Sequence, residues 1–178
     1  MHVDPKKKNW YAIYTRSRAE KKVEAELRAN QIECFLPLQK KLRQWKDRKK
    51  WVDTPLMAGY CFVYINRKEY DKVLQFQNVV CYVTFEGKAA VIPSQQIHSL
   101  QKLLKQFEFE VTVSQENFEQ GKQVEVIKGP LVGLRGELID IRGKNKFILR
   151  VEKLESVFTI EISSEYISAL PEVGVTTH

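Results

Sequence analysis

The residues of this sequence best able to do chemistry are concentrated in segment 40–50, which reads KKLRQWKDRKK. Seven of its eleven residues are lysine or arginine, and Trp45 stands in their middle. Such cations neutralise phosphates, and an indole can stack on a nucleic-acid base. Because seven like charges on a short insertion repel each other, we predict an exposed hairpin that contacts nucleic acid, with Trp45 either on a base or against a sheet. The candidate contacts are Arg43, Trp45, Lys46, Arg48, Lys49 and Lys50.

Nothing comparable points to catalysis. No histidine has a cysteine, serine or carboxylate at a catalytic or metal-ligand spacing; the three are His2, His98 and His178. The cysteines are widely spaced, lie in apolar strand-like contexts and form no C-x-x-C pair; they are Cys34, Cys61 and Cys81. We interpret them as buried free thiols, and we expect no enzyme activity, no metal and no cofactor.

The charge is divided unequally along the chain. Residues 1–105 carry 21 Lys/Arg and 10 Asp/Glu (+11), whereas residues 106–178 carry 8 and 12 (−4). This asymmetry favours two domains with different partners, the first facing a polyanion, although a merely soluble surface would also be basic. No apolar run approaches the roughly 18 residues of a membrane span, and the N-terminus lacks the apolar core of a signal peptide. We therefore expect a cytoplasmic protein.

Apolar periodicity predicts the elements that position these cations. Strands are expected at residues 10–15, 32–38, 60–65, 79–85 and 89–92. Three helices are expected: one opening with a capping box at residues 17–20, one capped by Asn66 and Glu69, and one from Ser94. This order predicts an α+β domain over 1–105, in which helices cover one face of a mostly antiparallel sheet and leave the other face free to bind a partner.

Segment 121–141, GKQVEVIKGPLVGLRGELIDI, has two alternating runs around a turn rich in glycine and proline. It resembles the KOW motif, a hairpin module of small β-barrels. We predict a small all-β KOW-type barrel over 121–172, joined to the first domain by a linker at 106–120 with some strand character near 107–113.

Several segments follow the order of the NusG family of transcription factors: WY at 10–11, the basic helix, PLMAGYCFV at 55–63, VCYVTF at 80–85 and the KOW-like segment. The chain resembles this family from end to end. It is closest to the specialised paralogues, RfaH-like and UpxY-like, through RQWKDRKK at 43–50 and AVIP at 90–93. The resemblance implies an operon-specific elongation factor and antiterminator that suppresses pausing and termination.

In that family an apolar patch docks on the clamp helices of the largest RNA polymerase subunit, and the first helix lies along the non-template DNA strand of the transcription bubble. The matching apolar positions are Tyr14, Met57, Tyr60 and Phe85. Each of these has an alternative place in the core, the commoner location of a strand aromatic. The matching basic positions are Arg16, Arg18, Lys21 and Lys22, whose alternative is a solvated helix face. The resemblance places hairpin 40–50 against nucleic acid or polymerase near the bubble.

The family barrel recruits either the termination factor Rho or a small-subunit ribosomal protein. Housekeeping members carry a phenylalanine-glycine-arginine step and then threonine-proline, where this chain has Leu154-Glu155-Ser156 and Phe158-Thr159. Leu131 replaces a usual aromatic. These departures put Rho in doubt, while Leu131, Leu154 and Phe158 remain candidate contacts for another partner. Some members refold this domain between helix and barrel; the alternating runs here favour the barrel.

Three other interpretations stay open. Segment 59–65, GYCFVYI, resembles the RNP1 strand of an RRM, whose exposed aromatics stack on single-stranded RNA. Ala58 and Cys61 depart from that motif. A housekeeping NusG-type factor and a ribosome-associated KOW protein are the remaining alternatives.

Overall fold

The computed structural model describes residues 6–106, 109–116 and 118–171. The chain forms two compact units that divide between Leu104 and Lys105. The helices of the first unit are α1 (Glu20–Ala29), α2 (Arg67–Val73) and α3 (Ser94–Leu104). Its strands are β1 (Asn9–Thr15), β2 (Glu33–Phe35), β3 (Leu38–Gln44), β4 (Lys49–Pro55), β5 (Tyr60–Ile65), β6 (Val79–Tyr82), β7 (Thr84–Phe85), β8 (Lys88–Ala89) and β9 (Val91–Ile92).

The main sheet of the first unit has the order β2-β5-β1-β6, and β9 also pairs with β1. All of these pairings are antiparallel. The antiparallel sheet with helices that the sequence predicts is therefore present. Strands β3 and β4 form a separate two-stranded sheet, as do β7 and β8.

Two helix starts were predicted from capping boxes, and they turn out differently. Asn66 accepts hydrogen bonds from the amides of Lys68 and Glu69, and the Glu69 carboxylate accepts one from the Asn66 amide at 3.0 Å, which confirms that capping box. The capping box predicted at residues 17–20 is wrong. Ala19 is the residue that precedes α1, and no side chain caps the helix there. The buried Glu20 carboxylate instead accepts a hydrogen bond from the Gly59 amide at 2.7 Å. A tertiary partner has replaced the local one.

Apolar residues are buried on both faces of the main sheet. On one face Ile13 and Cys61 lie opposite each other and belong to a core cluster with Val23 and Leu27 of α1 and Val73 of α2. On the other face Ala12 and Phe62 lie opposite each other and are fully buried. The buried residues of α3 lie outside the first cluster, and α3 packs against β1. The predicted free face is therefore buried where Ala12 and Phe62 lie, because apolar residues on both sides of a sheet favour burial of both. Tyr14 and Tyr60, two residues further along the same face, are only half-buried.

The second unit contains a six-stranded antiparallel sheet of order β10-β14-β13-β12-β11-β15. Its strands are β10 (Thr112–Ser114), β11 (Lys122–Val126), β12 (Arg135–Ile141), β13 (Lys144–Val151), β14 (Ser156–Glu161) and β15 (Ile167–Ala169). Short 3-10 helices occupy Glu152–Leu154 and Ser164–Tyr166. Strand β10 lies within the segment predicted as a linker, of which residues 107, 108 and 117 are outside the described residues. The pairings of the described strands do not close a barrel.

Gly136 allows β12 and β13 to pack closely. A Cβ atom at this position would approach the Phe147 ring to 2.5 Å and would overlap the Ile148 carbonyl oxygen. Phe147 is fully buried, as is Phe158 of β14. Only glycine fits here, so this glycine of the KOW-like segment lies in a strand and serves its packing.

A carboxylate–guanidinium pair fixes the same strands. Arg150 donates from Nε and Nη2 to the two Glu137 oxygens at 2.9 and 3.0 Å, and the Gly121 amide donates to Glu137 at 2.9 Å. Burial acts to raise the pKa of Glu137, but the hydrogen bonds from Arg150 and Gly121 outweigh it, and the pKa is lowered. Since a bidentate pair of this kind has strict geometry, it holds the register of β12 against β13.

Replacing Glu20 with Ala should destabilise the first unit by about 1–3 kcal/mol, because the Gly59 amide loses a charged acceptor. Glu20→Gln is the matched control, since its amide oxygen can still accept the bond. All three tryptophans, Trp10, Trp45 and Trp51, lie in the first unit, so tryptophan emission during urea unfolding reports this unit alone. Equal loss of stability in the two variants would contradict the proposed bond.

The second unit should depend on pH through Glu137. A carboxyl whose pKa is lowered in the folded state stabilises that state above its ordinary value, near 4.5, and this contribution is lost as pH falls through the lowered pKa. Glu137→Gln should therefore cost about 1–3 kcal/mol at neutral pH and progressively less in acid. Hydrogen exchange of peptides from β12 and β13 measures the difference; a gap between wild type and variant that stays constant with pH would rule this out.

Candidate functional site

The hairpin predicted for segment 40–50 is formed by β3 and β4. Their register runs from Leu38 opposite Pro55 to Gln44 opposite Lys49. The Trp45 amide donates to the Arg48 carbonyl at 2.8 Å and closes the two-residue turn. Every residue from 40 to 51 is exposed. The hairpin thus presents all its cations to solvent.

Strand alternation divides the hairpin into two faces, because residues opposite each other in an antiparallel pair share a face. One face carries Trp45 together with cations from both strands, namely Lys41, Arg43, Arg48 and Lys50. The other face carries Leu42 opposite Trp51, flanked by Lys40 and Lys49. The indole of Trp51 is 62% exposed, slightly more than the 59% of Trp45. The sequence prediction did not include Trp51 among the candidate contacts, because Trp51 marks the point where the apolar pattern resumes. Its alternation with the charged residues was the available sign that it lies on the hairpin.

The basic residues at the start of α1 adjoin the root of this hairpin. Lys21 donates from Nζ to the Asp53 carbonyl of β4 at 2.6 Å. The Asp53 carboxylate lies 3.6 Å from Lys40 Nζ on the neighbouring strand. The other predicted helix contacts, Arg16, Arg18 and Lys22, are exposed like Lys21. The start of α1 and the β3–β4 hairpin therefore form one cationic surface, although Lys21 and Asp53 are separated in the sequence by the rest of α1 and by β2 and β3.

An aromatic pair lies at the β1–β5 end of the main sheet. The rings of Tyr14 and Tyr60 are 4.7 Å apart, and the Tyr60 hydroxyl donates to the Tyr14 hydroxyl at 3.0 Å. Both side chains are half-buried. Burial raises the pKa of Tyr60 and the hydrogen bond with Tyr14 raises it further, so the hydroxyl stays protonated at neutral pH. The pair is an amphipathic surface of the kind that suits a protein partner.

Cys81 shares this face, because it lies opposite Tyr14 in the β1–β6 pairing. The side chain of Cys81 is exposed, so the prediction that all three thiols are buried is wrong for this residue. The reason is that β6 lies at the edge of the sheet. Cys61 is buried and Cys34 half-buried. Their thiols share a hydrogen bond that raises the pKa of Cys61, and burial of Cys61 adds to this effect.

The two other predicted polymerase contacts are placed differently. Met57 is buried, with 5% exposure, in the loop before β5, so it is not presented at the surface. Phe85 is half-buried in the β7–β8 hairpin. The turn of that hairpin has positive φ at Glu86 (52°) and Gly87 (74°), which matches the strand twist. The ring and hydroxyl contacts thus join Tyr14 to Tyr60, with Cys81 beside them.

The predicted partner contacts of the second unit lie in its core. Leu131, Leu154 and Phe158 are 1%, 5% and 0% exposed. None is presented at the surface of this fold. The exposed apolar residues are Ile127 and Val132, which are 49% and 48% exposed and lie around the Gly-Pro turn. The sequence prediction did not include Ile127 and Val132. Their apolar side chains around a turn were the available sign that they are exposed.

The RRM alternative requires aromatics of β5 to be open to bases. Phe62, the middle aromatic of that strand, is fully buried and stacks on Phe35 with ring centroids 5.9 Å apart. A base cannot reach it. Within the described residues, no three metal-ligating side chains come together, and no helix has the length and apolarity to cross a membrane.

Comparison with known proteins gives a consistent picture. The family model described as transcription termination factor nusG matches residues 8–101, more than half of the 178-residue chain. The chain is similar to a solved structure titled "Domain interaction in Thermotoga maritima NusG", with 22% identity and a TM-score of 0.50 over 94% of this chain and 100% of that one. It is also similar to a chain of the MjSpt4:Spt5 complex, conformation B, with 18% identity and a TM-score of 0.31 over 92% and 97%. No curated protein matches at a significant level.

The chain belongs to the NusG family. This family consists of transcription factors and not of enzymes. The likeness to the Thermotoga maritima structure is one of fold. The matched residues include both the cationic surface and the Tyr14–Tyr60 pair.

Limited maleimide treatment should modify Cys81 well before Cys61, because only the thiol of Cys81 is exposed and the raised pKa of Cys61 leaves little thiolate. Mass spectrometry of the separate peptides measures the three rates. Cys81→Ser should remove the fast reaction and leave the others unchanged. A Cys61 rate equal to that of Cys81 would contradict this arrangement.

Proposed function

We propose that the protein is an operon-specific transcription elongation factor and antiterminator, similar to the RfaH-like and UpxY-like members of its family. It binds the clamp helices of the largest RNA polymerase subunit and the exposed non-template DNA strand, and it suppresses pausing and termination in the cytoplasm. The observation that carries this proposal is the joining of α1 and the β3–β4 hairpin into one cationic surface by Lys21 and Asp53, in the same unit as an aromatic surface.

The Tyr14–Tyr60 pair, with Cys81 beside it, is the proposed polymerase contact; Phe85 is proposed as a further contact, and Met57 contributes from the core. An amphipathic helical pair laid on such a surface buries apolar area without requiring base-like or sequence-specific hydrogen bonds. Because the Tyr60 hydroxyl already donates to Tyr14, its donor does not have to give up a water on docking. A contact of this kind persists while the polymerase moves along any sequence.

The cationic surface is the proposed DNA contact. The helix cations Arg16, Arg18, Lys21 and Lys22 and the hairpin cations neutralise phosphates, which gives affinity without sequence choice. Choice of operon requires contacts with bases, for which Trp45 at the hairpin tip is the candidate. A protein that binds the clamp and the DNA at the same time favours the closed clamp over the open, paused state. The size of this effect is set by the difference between its affinities for the closed and the open state.

The second unit is proposed to be a KOW-type domain that recruits a partner such as a small-subunit ribosomal protein. Ile127 and Val132 supply an exposed apolar surface at its Gly-Pro turn. Leu131, Leu154 and Phe158 support that turn and sheet from the core. The missing phenylalanine-glycine-arginine step argues against Rho as the partner.

Wild-type protein should co-elute with core RNA polymerase on size-exclusion chromatography, and the Tyr14→Ala, Phe85→Ala double variant should not. Leu74→Ala is the matched control, because Leu74 is an exposed apolar residue at the end of α2. Polymerase should also protect Cys81 from maleimide, which reports the docked face without any substitution.

Bound protein should then increase readthrough of a terminator placed behind the native leader more than behind an unrelated one. Failure of folded wild type to co-elute, even with a transcription bubble present, would overturn the proposal. Equal readthrough on both leaders would instead indicate a housekeeping factor.

A further inference from the structure

The β3–β4 hairpin exposes two indoles on opposite faces. Trp45 lies at the tip among the cations Lys41, Arg43 and Lys50, and Trp51 lies on the reverse face opposite Leu42. Each indole is more than half exposed. A two-stranded ribbon separates them, so they cannot stack on the same base.

Trp51 and Leu42 leave apolar area in contact with water, which is unfavourable in free energy, and the fold does not use them in its core. Leu42 is 49% exposed and Trp51 62% exposed, and apolar surface left in water carries a free-energy penalty. Neither side chain is buried against the first unit, so a core role does not explain them. An adjoining apolar pair on an exposed ribbon indicates an occupant.

Charge identifies the occupant. Lys40 and Lys49 lie on the same face as Trp51, together with Asp53, whose carboxylate lies 3.6 Å from Lys40 Nζ. A protein surface covering this face would have to desolvate both lysines and offer Lys49 a carboxylate. An unpaired nucleotide instead offers both a π-face for the indole and a phosphate for the neighbouring lysine.

We propose that the Leu42–Trp51 face is a second base-stacking platform, so that the hairpin holds two unpaired bases of single-stranded DNA, one on each face. This inference rests on the proposed contact of the hairpin with nucleic acid and assigns to Trp51 a role beyond it. Bases within a duplex are stacked on each other and are not available to either indole. The hairpin therefore prefers strands that are already open.

The test measures binding of the full chain to a mixed-sequence single-stranded DNA oligonucleotide and to the duplex of the same sequence, over a series of salt concentrations. Trp51→Ala should weaken binding to the single strand roughly fivefold or more, and Trp51→Phe should restore most of it. Binding to the duplex should change less than twofold. The slope of log Kd against log salt should stay that of wild type, because no phosphate contact is removed.

Lys41→Gln, Lys50→Gln is the charge control and should lower the salt slope for both DNA forms. Circular dichroism confirms that each variant is folded. Unchanged single-strand affinity in Trp51→Ala, or an equal loss with single strand and duplex, would overturn the proposal, the latter because Trp51 would then act only by shaping the hairpin. No polymerase is present in this assay, so its outcome is independent of the co-elution experiment.

Discussion

The antiparallel pairing of β1 with β5 is the constraint on which the first unit depends. It places Tyr14 opposite Tyr60 and fixes the aromatic surface. At the end of the same pair, the Gly59 carbonyl accepts a hydrogen bond from the Thr15 amide at 2.8 Å, while the Gly59 amide donates to Glu20. The start of α1, and with it the row of basic residues, is therefore positioned by the strands that build the aromatic pair. The surfaces proposed to bind protein and DNA are therefore positioned by the same strand pair.

Much of this architecture could be predicted from the sequence, because period-2 and period-3.6 patterns are local. The strands around Tyr14 and Tyr60, the Asn66 cap and the exposed basic hairpin all follow from residues near each other in the chain. The family resemblance added the order of the elements, and the match over residues 8–101 supports it. Charge alone predicted the cationic segment, since seven repelling cations cannot be buried.

The features that escaped prediction depend on long-range contacts. Glu20 could be read as a local cap only because its true partner, Gly59, is 39 residues away. The coverage of both sheet faces depends on where α3 packs, and a helix pattern does not reveal which face receives it. Leu131, Leu154 and Phe158 have the composition of an interface, but burial is decided by the whole sheet. The exposure of Trp51 was not predicted, because strand alternation shows on which face of the hairpin a side chain lies but not whether another element covers that face.

The exposure of every residue from 40 to 51 has a consequence for how such proteins diversify. These side chains contribute almost nothing to the buried core, so substitutions, and even changes in hairpin length, leave the sheet and its helices intact. The anchoring contacts of the hairpin lie at its root, where Gln39 is buried and Asp53 meets Lys21. The residues of the tip can therefore be exchanged with little effect on the stability of the fold that carries them.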